Sequence, residues 1–360
     1  MNINYSQLLN DSGVSALLIT DPYNLRYYTG FRGGEGYALI TNKDSKVLIT
    51  DSRYTEAAEK ECYTGFTVRQ YDTKISIYDI MKEYISRDKV IKLGFENESI
   101  SYLMYSKLVD KLCGSDSQLN LEPLGDVLLV PRQIKTREEI ELLREAEHIG
   151  DLAFEDILGI LKPGMTELEV AAELEYSMKR HGAEGLSFDT IAASGKNSSM
   201  PHAIPSDKKL EKGDFLTMDF GCIYQGYCSD MTRTVCIGKA SDEQKKIYNI
   251  VLSAQLSVLD NLKPGMMCKD VDRIARDYIT AQGYGDYFGH GLGHGVGLYI
   301  HETPAFNTRD TSIVKPGMIE TDEPGIYLPG KFGVRIEDMI LITEDGCESL
   351  AKSPKELIEL

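Results

Sequence analysis

The sequence contains no tryptophan, no C-x-x-C pair, no apolar run of membrane length and comparatively little positive charge. Each absence removes a class of protein. The longest uninterrupted apolar stretches, such as Val127 to Val130, fall far short of the roughly 20 residues that a membrane-spanning helix needs. Lys+Arg number 39 against 56 Asp+Glu, a net charge of −17, and no basic run interrupts that balance. This disfavours a nucleic-acid partner and an anionic membrane surface. The opening Met-Asn-Ile-Asn-Tyr-Ser-Gln lacks the charged start and apolar core of a signal peptide, which points to the cytoplasm. The seven cysteines are odd in number and scattered, so they read as reduced thiols, not as a disulfide frame or a zinc site.

What remains is a globular composition, 42% hydrophobic over 360 residues, enough for about two domains. In the first third, Ala16–Thr20, Tyr37–Thr41, Lys46–Thr50 and, more weakly, Ile91–Phe95 read as strands. Helical spacing over Tyr54–Glu61 and Ser101–Leu112 separates them, so the expected class is α/β. A break around Pro123–Pro131 precedes an amphipathic pattern over Arg137–Leu161, predicting domains at residues 1–126 and 132–360.

The second part carries an internal repeat. Leu161-Lys-Pro-Gly-Met165 recurs as Leu262-Lys-Pro-Gly-Met266, each followed by a helical stretch. Glu211-Lys-Gly-Asp214 leading to Met218-Asp219-Phe220-Gly221 is echoed by Val314-Lys-Pro-Gly-Met318 leading to Asp322-Glu323-Pro324-Gly325. Aligning Gly213 with Gly317 places Asp219 on Glu323, and Gly226-Tyr-Cys-Ser-Asp230 matches Gly333-Val-Arg-Ile-Glu337. Two copies of one α+β unit would therefore bring two pairs of carboxylates face to face.

A carboxylate inside an apolar strand such as Phe215-Leu-Thr-Met-Asp-Phe220 needs a partner, because burying it alone is very costly. For one isolated aspartate a turn cap or an arginine answers as well as a metal ion. Four acids at repeat-equivalent positions favour the metal, and oxygen ligands suit hard divalent ions. A nitrogen ligand is at hand, since three of the six histidines crowd into Gly289-His-Gly-Leu-Gly-His-Gly-Val-Gly-Leu-Tyr-Ile-His-Glu302. His290 and His294 are four apart, but Gly291, Gly293, Gly295 and Gly297 argue against a helix and for an extended, closely approached segment.

On these residues the sequence resembles the metallopeptidases of the pita-bread fold, the group of methionine aminopeptidase, prolidase and aminopeptidase P. The resemblance runs from about Lys135 to Leu360. It rests on Met-Asp219-Phe-Gly, Ser-Asp230-Met-Thr-Arg-Thr, Gly-His294-Gly-Val-Gly, Glu323-Pro-Gly-Ile-Tyr and Arg-Ile-Glu337-Asp. It implies an α/β N-terminal domain followed by an α+β pita-bread catalytic domain with an internal pseudo-two-fold repeat. It further implies that Asp219, Asp230, His294, Glu323 and Glu337 hold two divalent ions, Mn ahead of Co or Zn, with Asp230 and Glu337 bridging.

Asn24-Leu-Arg-Tyr-Tyr-Thr-Gly-Phe31 and Thr50-Asp-Ser-Arg-Tyr54 look like the extra domain of the Xaa-Pro peptidases and creatinase, which methionine aminopeptidases lack. Creatinase does not keep the metal ligands, so the complete set here argues for a peptidase. Ser194-Gly-Lys-Asn-Ser-Ser-Met-Pro-His202 is similar to the Xaa-Pro branch, where His202 would shape the proline pocket. His290 and His301 match histidines at the scissile bond. The expectation is an Xaa-Pro aminopeptidase acting on peptides with proline second, with a prolidase as the alternative and a metal-free binding protein less favoured because no ligand is missing.

By ordinary metal chemistry, two ions lower the pKa of a shared water. Glu323 then moves the proton, a histidine faces the oxyanion, and Asp219 helps hold the free amino group. Arg335, two residues before Glu337, is expected to support the acidic ligands. Family resemblance also implies a homo-oligomer, most simply a dimer. One departure stands out. Asp322 replaces the apolar residue expected beside Glu323; strand alternation points it away from the ligands, and a buried acid there needs a partner of its own.

Overall fold

Apolar runs without alternation become strands buried on both faces. β1 (Ala16–Ile19) is buried along its whole length, and β2 (Tyr37–Thr41) and β3 (Lys46–Thr50) from their second residues onward. The computed structural model describes residues 3–114 and 117–360, in two units that meet between Arg132 and Gln133. In the first unit, β4 (Thr67–Gln70), β5 (Lys92–Phe95) and β6 (Asn120–Pro123) complete a mixed sheet of order β4-β3-β2-β1-β5-β6. β4 and β6 are its edges. Their polar residues leave them half exposed, which is why apolar spacing misses them.

Helices α1 (Tyr5–Ser12), α2 (Pro22–Thr29), α3 (Thr55–Glu61), α4 (Ile77–Asp88) and α5 (Tyr102–Leu112) accompany the sheet. Ile80, Met81 and Tyr84 of α4 and Leu108 and Leu112 of α5 pack with Ala16, Leu18, Leu39, Val47 and Ile49. Tyr54 and Ser101, read as helical from spacing, are N-caps; Ser101 Oγ accepts the Met104 amide at 3.1 Å. The short helix α6 (Val130–Gln133) follows.

The second unit opens with α7 (Arg137–Leu158), started by a reciprocal Thr136–Glu139 capping box. The pattern reaches Leu161, but the helix stops three residues earlier, because residues 159–161 tighten into a turn in which the Ile160 amide donates to Ile157 O. α8 (Glu167–Arg180) packs against α7. Next come β7 (Gly185–Leu186), β8 (Ile191–Ser194), β9 (Phe215–Phe220), β10 (Cys222–Tyr224), β11 (Tyr227–Cys228) and β12 (Met231–Cys236). The pattern then repeats. α9 (Asp242–Asn261) packs against α10 (Cys268–Ala281), followed by β13 (Gly293–Gly295), β14 (Glu302–Phe306), β15 (Ile319–Asp322), β16 (Gly325–Leu328), β17 (Phe332–Arg335), β18 (Asp338–Ile342) and β19 (Cys347–Ser349).

The repeat holds at the level of single hydrogen bonds. Gly164 and Gly265 turn with φ of +92° and +91°, and their amides donate to Leu210 O and Val314 O, equivalent positions in the two halves. Each half has its own core. Ala146, Ile149, Leu174, Leu216, Met218 and Met231 fill the first; Val251, Ala254, Val271, Ile279, Ile326 and Ile340 fill the second. β9 pairs antiparallel with β12, and β15 with β18. A bridge between Thr232 and Glu337 joins the hairpins of the two halves where the acids lie.

Candidate metal centre

The hairpin ends deliver the acids. Asp219 sits near the end of β9, Asp230 immediately before β12, Glu323 immediately after β15 and Glu337 immediately before β18. His294 is the middle residue of β13, so the glycine-rich segment is extended there. It depends on Gly293: a Cβ at that position would lie 1.9 Å from the Thr321 carbonyl oxygen, and only glycine lets β13 approach β15 so closely. One cavity of about 670 Å³ is lined by all nine residues singled out above, namely His202, Asp219, Asp230, His290, His294, His301, Glu323, Arg335 and Glu337.

Within that cavity the tightest group is Asp230, His294 and Glu337, whose ligand atoms all lie within 4.8 Å of one another. The His294 Nδ1 hydrogen donates to Gly295 O at 3.2 Å, so Nε2 carries the lone pair. That lone pair sits 3.5 Å from Asp230 Oδ2 and 3.6 Å from Glu323 Oε1, too far for good hydrogen bonds. Electron-rich atoms facing each other at this spacing are reconciled by a cation among them. The electrostatics agree. Burial, and then the neighbouring acids, push Asp230 and Glu337 well above the ordinary carboxyl range. Burial pushes Glu323 up to about 8 against the opposing charge of Arg335. Burial also lowers His294 to about 4, keeping it neutral. Such a set of acids is stabilised in its charged form by a positive ion, and the residues fit a divalent metal.

Asp219 stands apart from the tight group. Its Oδ2 accepts from Arg335 Nη2 at 2.6 Å, while its buried Oδ1 has no hydrogen-bond partner among the described residues. The arginine explanation for a strand aspartate therefore accounts for one oxygen and leaves the other for a ligand. Arg335 also donates to Thr232 Oγ1 at 3.0 Å, Tyr327 Oη at 2.9 Å and Pro201 O at 3.3 Å. Thr232 Oγ1 in turn donates to Glu337 Oε2 at 2.5 Å, and Thr321 Oγ1 to Glu323 Oε1 at 3.1 Å.

His290 is fixed as a neutral ring. Its Nδ1 hydrogen donates to Gly291 O at 2.7 Å, so Nε2 accepts from the Tyr327 hydroxyl at 2.9 Å. Burial and then the Arg335 charge lower it to about 4. The His301 ring packs edge-on to His294 with centroids 4.5 Å apart. Thr232, Thr321 and Tyr327 are absent from the sequence-based set. Tyr327 lies in the Glu323-Pro-Gly-Ile-Tyr stretch and Thr232 in the motif after Asp230, but spacing does not reveal where a hydroxyl will point.

Asp322 is fully buried, and neither of its oxygens has a hydrogen-bond partner among the described residues. Burial, then the charge of Asp338, raises its carboxyl well above the ordinary value. The partner that a buried acid needs is thus not supplied, and the group is held as a neutral acid.

Comparison with known proteins places this geometry. The model of metallopeptidase family M24 matches residues 141–344, and that of the creatinase/prolidase N-terminal domain matches residues 4–134. An Xaa-Pro dipeptidase from Pyrococcus furiosus is 39% identical, over 98% of this chain and 97% of its own. The solved structure of an Xaa-Pro dipeptidase from Bacillus anthracis is 44% identical with a TM-score of 0.94, covering 99% of this chain and 98% of that one. That of an X-Pro aminopeptidase from Thermotoga maritima is 38% identical with a TM-score of 0.90, covering 98% and 100%. The chain therefore belongs to metallopeptidase family M24, as a pita-bread metallopeptidase preceded by a creatinase/prolidase N-terminal domain.

Proposed function

We propose that this hydrolase is an Xaa-Pro dipeptidase, a prolidase, with Asp219, Asp230, His294, Glu323 and Glu337 as ligands of two divalent ions. The observation that carries the reading is the charge arrangement of the cavity. Two arginines line it. Arg335 is engaged by Asp219, Tyr327, Thr232 and Pro201, whereas Arg309 is exposed and its guanidinium has no partner among the described residues. A dipeptide ends in a carboxylate immediately after proline, and Arg309 is the cation open to receive it. The names of the Pyrococcus furiosus and Bacillus anthracis relatives support the same substrate class.

When bound, the ions supply Lewis acidity and lower the pKa of water near neutrality. The chain's own groups do the rest. Glu323, its Oε1 held by the Thr321 hydroxyl, is placed to take a proton at its carboxylate and pass it to the leaving proline nitrogen. His290 stays neutral and, held by Tyr327, orients the reacting carbonyl. His301 packs against His294, and His202 forms the wall for the proline ring. Arg335 keeps Asp219 aimed. A donor set of carboxylates with one imidazole suits Mn(II), and seven free cysteines suit a reducing cytoplasm. A homodimer belongs to the same reading.

The test compares Leu-Pro with Leu-Pro-Gly and Leu-Pro-amide using Mn-loaded protein. Cleavage confined to Leu-Pro, with KM raised about tenfold or more in Arg309→Gln, is expected. Equal cleavage of all three would favour the second reading, an aminopeptidase, which the name of the Thermotoga maritima relative supports.

A further inference from the structure

A charged residue that breaks an internal repeat marks where one half does something the other does not. Aligning Leu161-Lys-Pro-Gly-Met165 with Leu262-Lys-Pro-Gly-Met266 puts Glu167 on Cys268, each the first residue of its helix. Their backbones are equivalent, with the Glu167 amide donating to Lys208 O at 3.1 Å and the Cys268 amide to Ser312 O at 2.9 Å. Their side chains are not. Cys268 packs into the apolar core of the second half, while Glu167 is a carboxylate with no exposure at all.

That carboxylate is saturated by donors from the two ends of one segment. At the start, Oε1 accepts from the Ser194 amide at 2.7 Å and Ser194 Oγ at 2.8 Å, and the Asn197 amide group reaches both oxygens at 3.1 Å. At the end, Oε2 accepts from Ser206 Oγ at 2.6 Å and the Ser206 amide at 3.1 Å. The segment between supplies five consecutive cavity-lining residues, Pro201 to Pro205, including His202. Its far side rests on β17, where the Gly333 amide donates to Ser198 Oγ at 2.9 Å and Arg335 donates to Pro201 O. His202 itself has no hydrogen-bond partner among the described residues, so its place is set by the backbone that carries it.

We infer that Glu167 is a positioning residue of the peptidase: by gathering Ser194, Asn197 and Ser206 onto one carboxylate it closes the 194–206 segment and sets the His202 wall against the reacting groups. The inference rests on the proposed substrate class only for what that wall touches. Charge-assisted bonds to both ends make the closure rigid, and among the described residues no hydrogen bond links Glu167 to the candidate metal ligands.

The test uses the full-length Mn-loaded protein with Glu167→Gln, Glu167→Asp and Asn197→Ala. In Glu167→Gln the amide nitrogen faces donors, so one end must release. Expected is hydrogen–deuterium exchange about tenfold faster over 195–206 and little changed elsewhere, with KM for Leu-Pro raised about tenfold and kcat within about threefold. Glu167→Asp, which keeps the charge, should recover part of the loss. Asn197→Ala, which removes two of the contacts and spares the rest, should shift the same readouts less, and it carries the test if Glu167→Gln does not fold. Unchanged exchange over 195–206 would overturn the inference, as would a fall in kcat with metal loss and no change in KM. Exchange is measured without substrate, so a wild-type chain that leaves Leu-Pro uncut would sink the dipeptidase reading and not this one.

Discussion

Removing the metal should make the stability of this protein depend on pH, and the window follows from opposing groups. Glu323 is raised from 4.5 to about 8, so the folded chain keeps a proton that the unfolded chain releases, and its contribution to stability falls as pH rises between those values. His290 and His294 are lowered from 6.5 to about 4, so their contribution rises with pH over that lower range and opposes the first. At pH 6.5 most of the histidine contribution is present, and the remainder is the same for metal-free and Mn-loaded protein because the folded rings are neutral in both, so the difference between the two reports the acids. Between pH 6.5 and pH 8, Glu323 by itself should cost the metal-free protein on the order of 1–2 kcal/mol, and Asp230 and Glu337 act in the same direction. Glu147, Glu320 and Asp322 are raised by burial as well and contribute in either form, so the quantity to read is the difference between metal-free and Mn-loaded protein. Urea unfolding followed by circular dichroism at both pH values, with EDTA or with Mn, measures it; the chain has no tryptophan to report by fluorescence. The stabilisation given by Mn should grow by at least that amount from pH 6.5 to pH 8. If it is the same at the two values, the acids are not paired through a cation and the reasoning fails.

Tyr327→Phe removes the hydroxyl that donates to His290 and accepts from Arg335; kcat/KM should drop about tenfold at unchanged metal content, and normal kinetics would show that the hydroxyl does not orient His290. Gly293→Ala places a methyl 1.9 Å from Thr321 O, so urea unfolding should show a loss of more than about 3 kcal/mol, and wild-type stability would mean that β13 moves freely from β15.

Much of this fold was legible because burial on both faces leaves continuous apolar runs, as in β1 to β3. The edge strands β4 and β6 carry polar residues and left no such trace. Helix α4 did leave one, in the capping box of Ser76 and Asp79, and α2 another, in Asp21 followed by Pro22; neither is a matter of apolar spacing. The candidate centre was legible for a different reason. Duplication writes the same carboxylate twice at a fixed offset, and a strand acid among apolar neighbours announces a need for charge. Hydroxyls make no such announcement. The roles of Thr232, Thr321 and Tyr327 depend on which strand ends meet, and Glu167 looks like an ordinary first-turn acid until the chain around it closes.

The bridge between Thr232 and Glu337 spans 105 residues of sequence. On the ribosome, at roughly 5–20 residues per second, that distance is about 5 to 20 s of elongation. His294 and Glu323 are added during that interval and Glu337 only at its end, so a product truncated before Glu337 lacks part of the candidate ligand set. Latency is thus written into the order of the chain: the candidate centre is incomplete until the second half has been made.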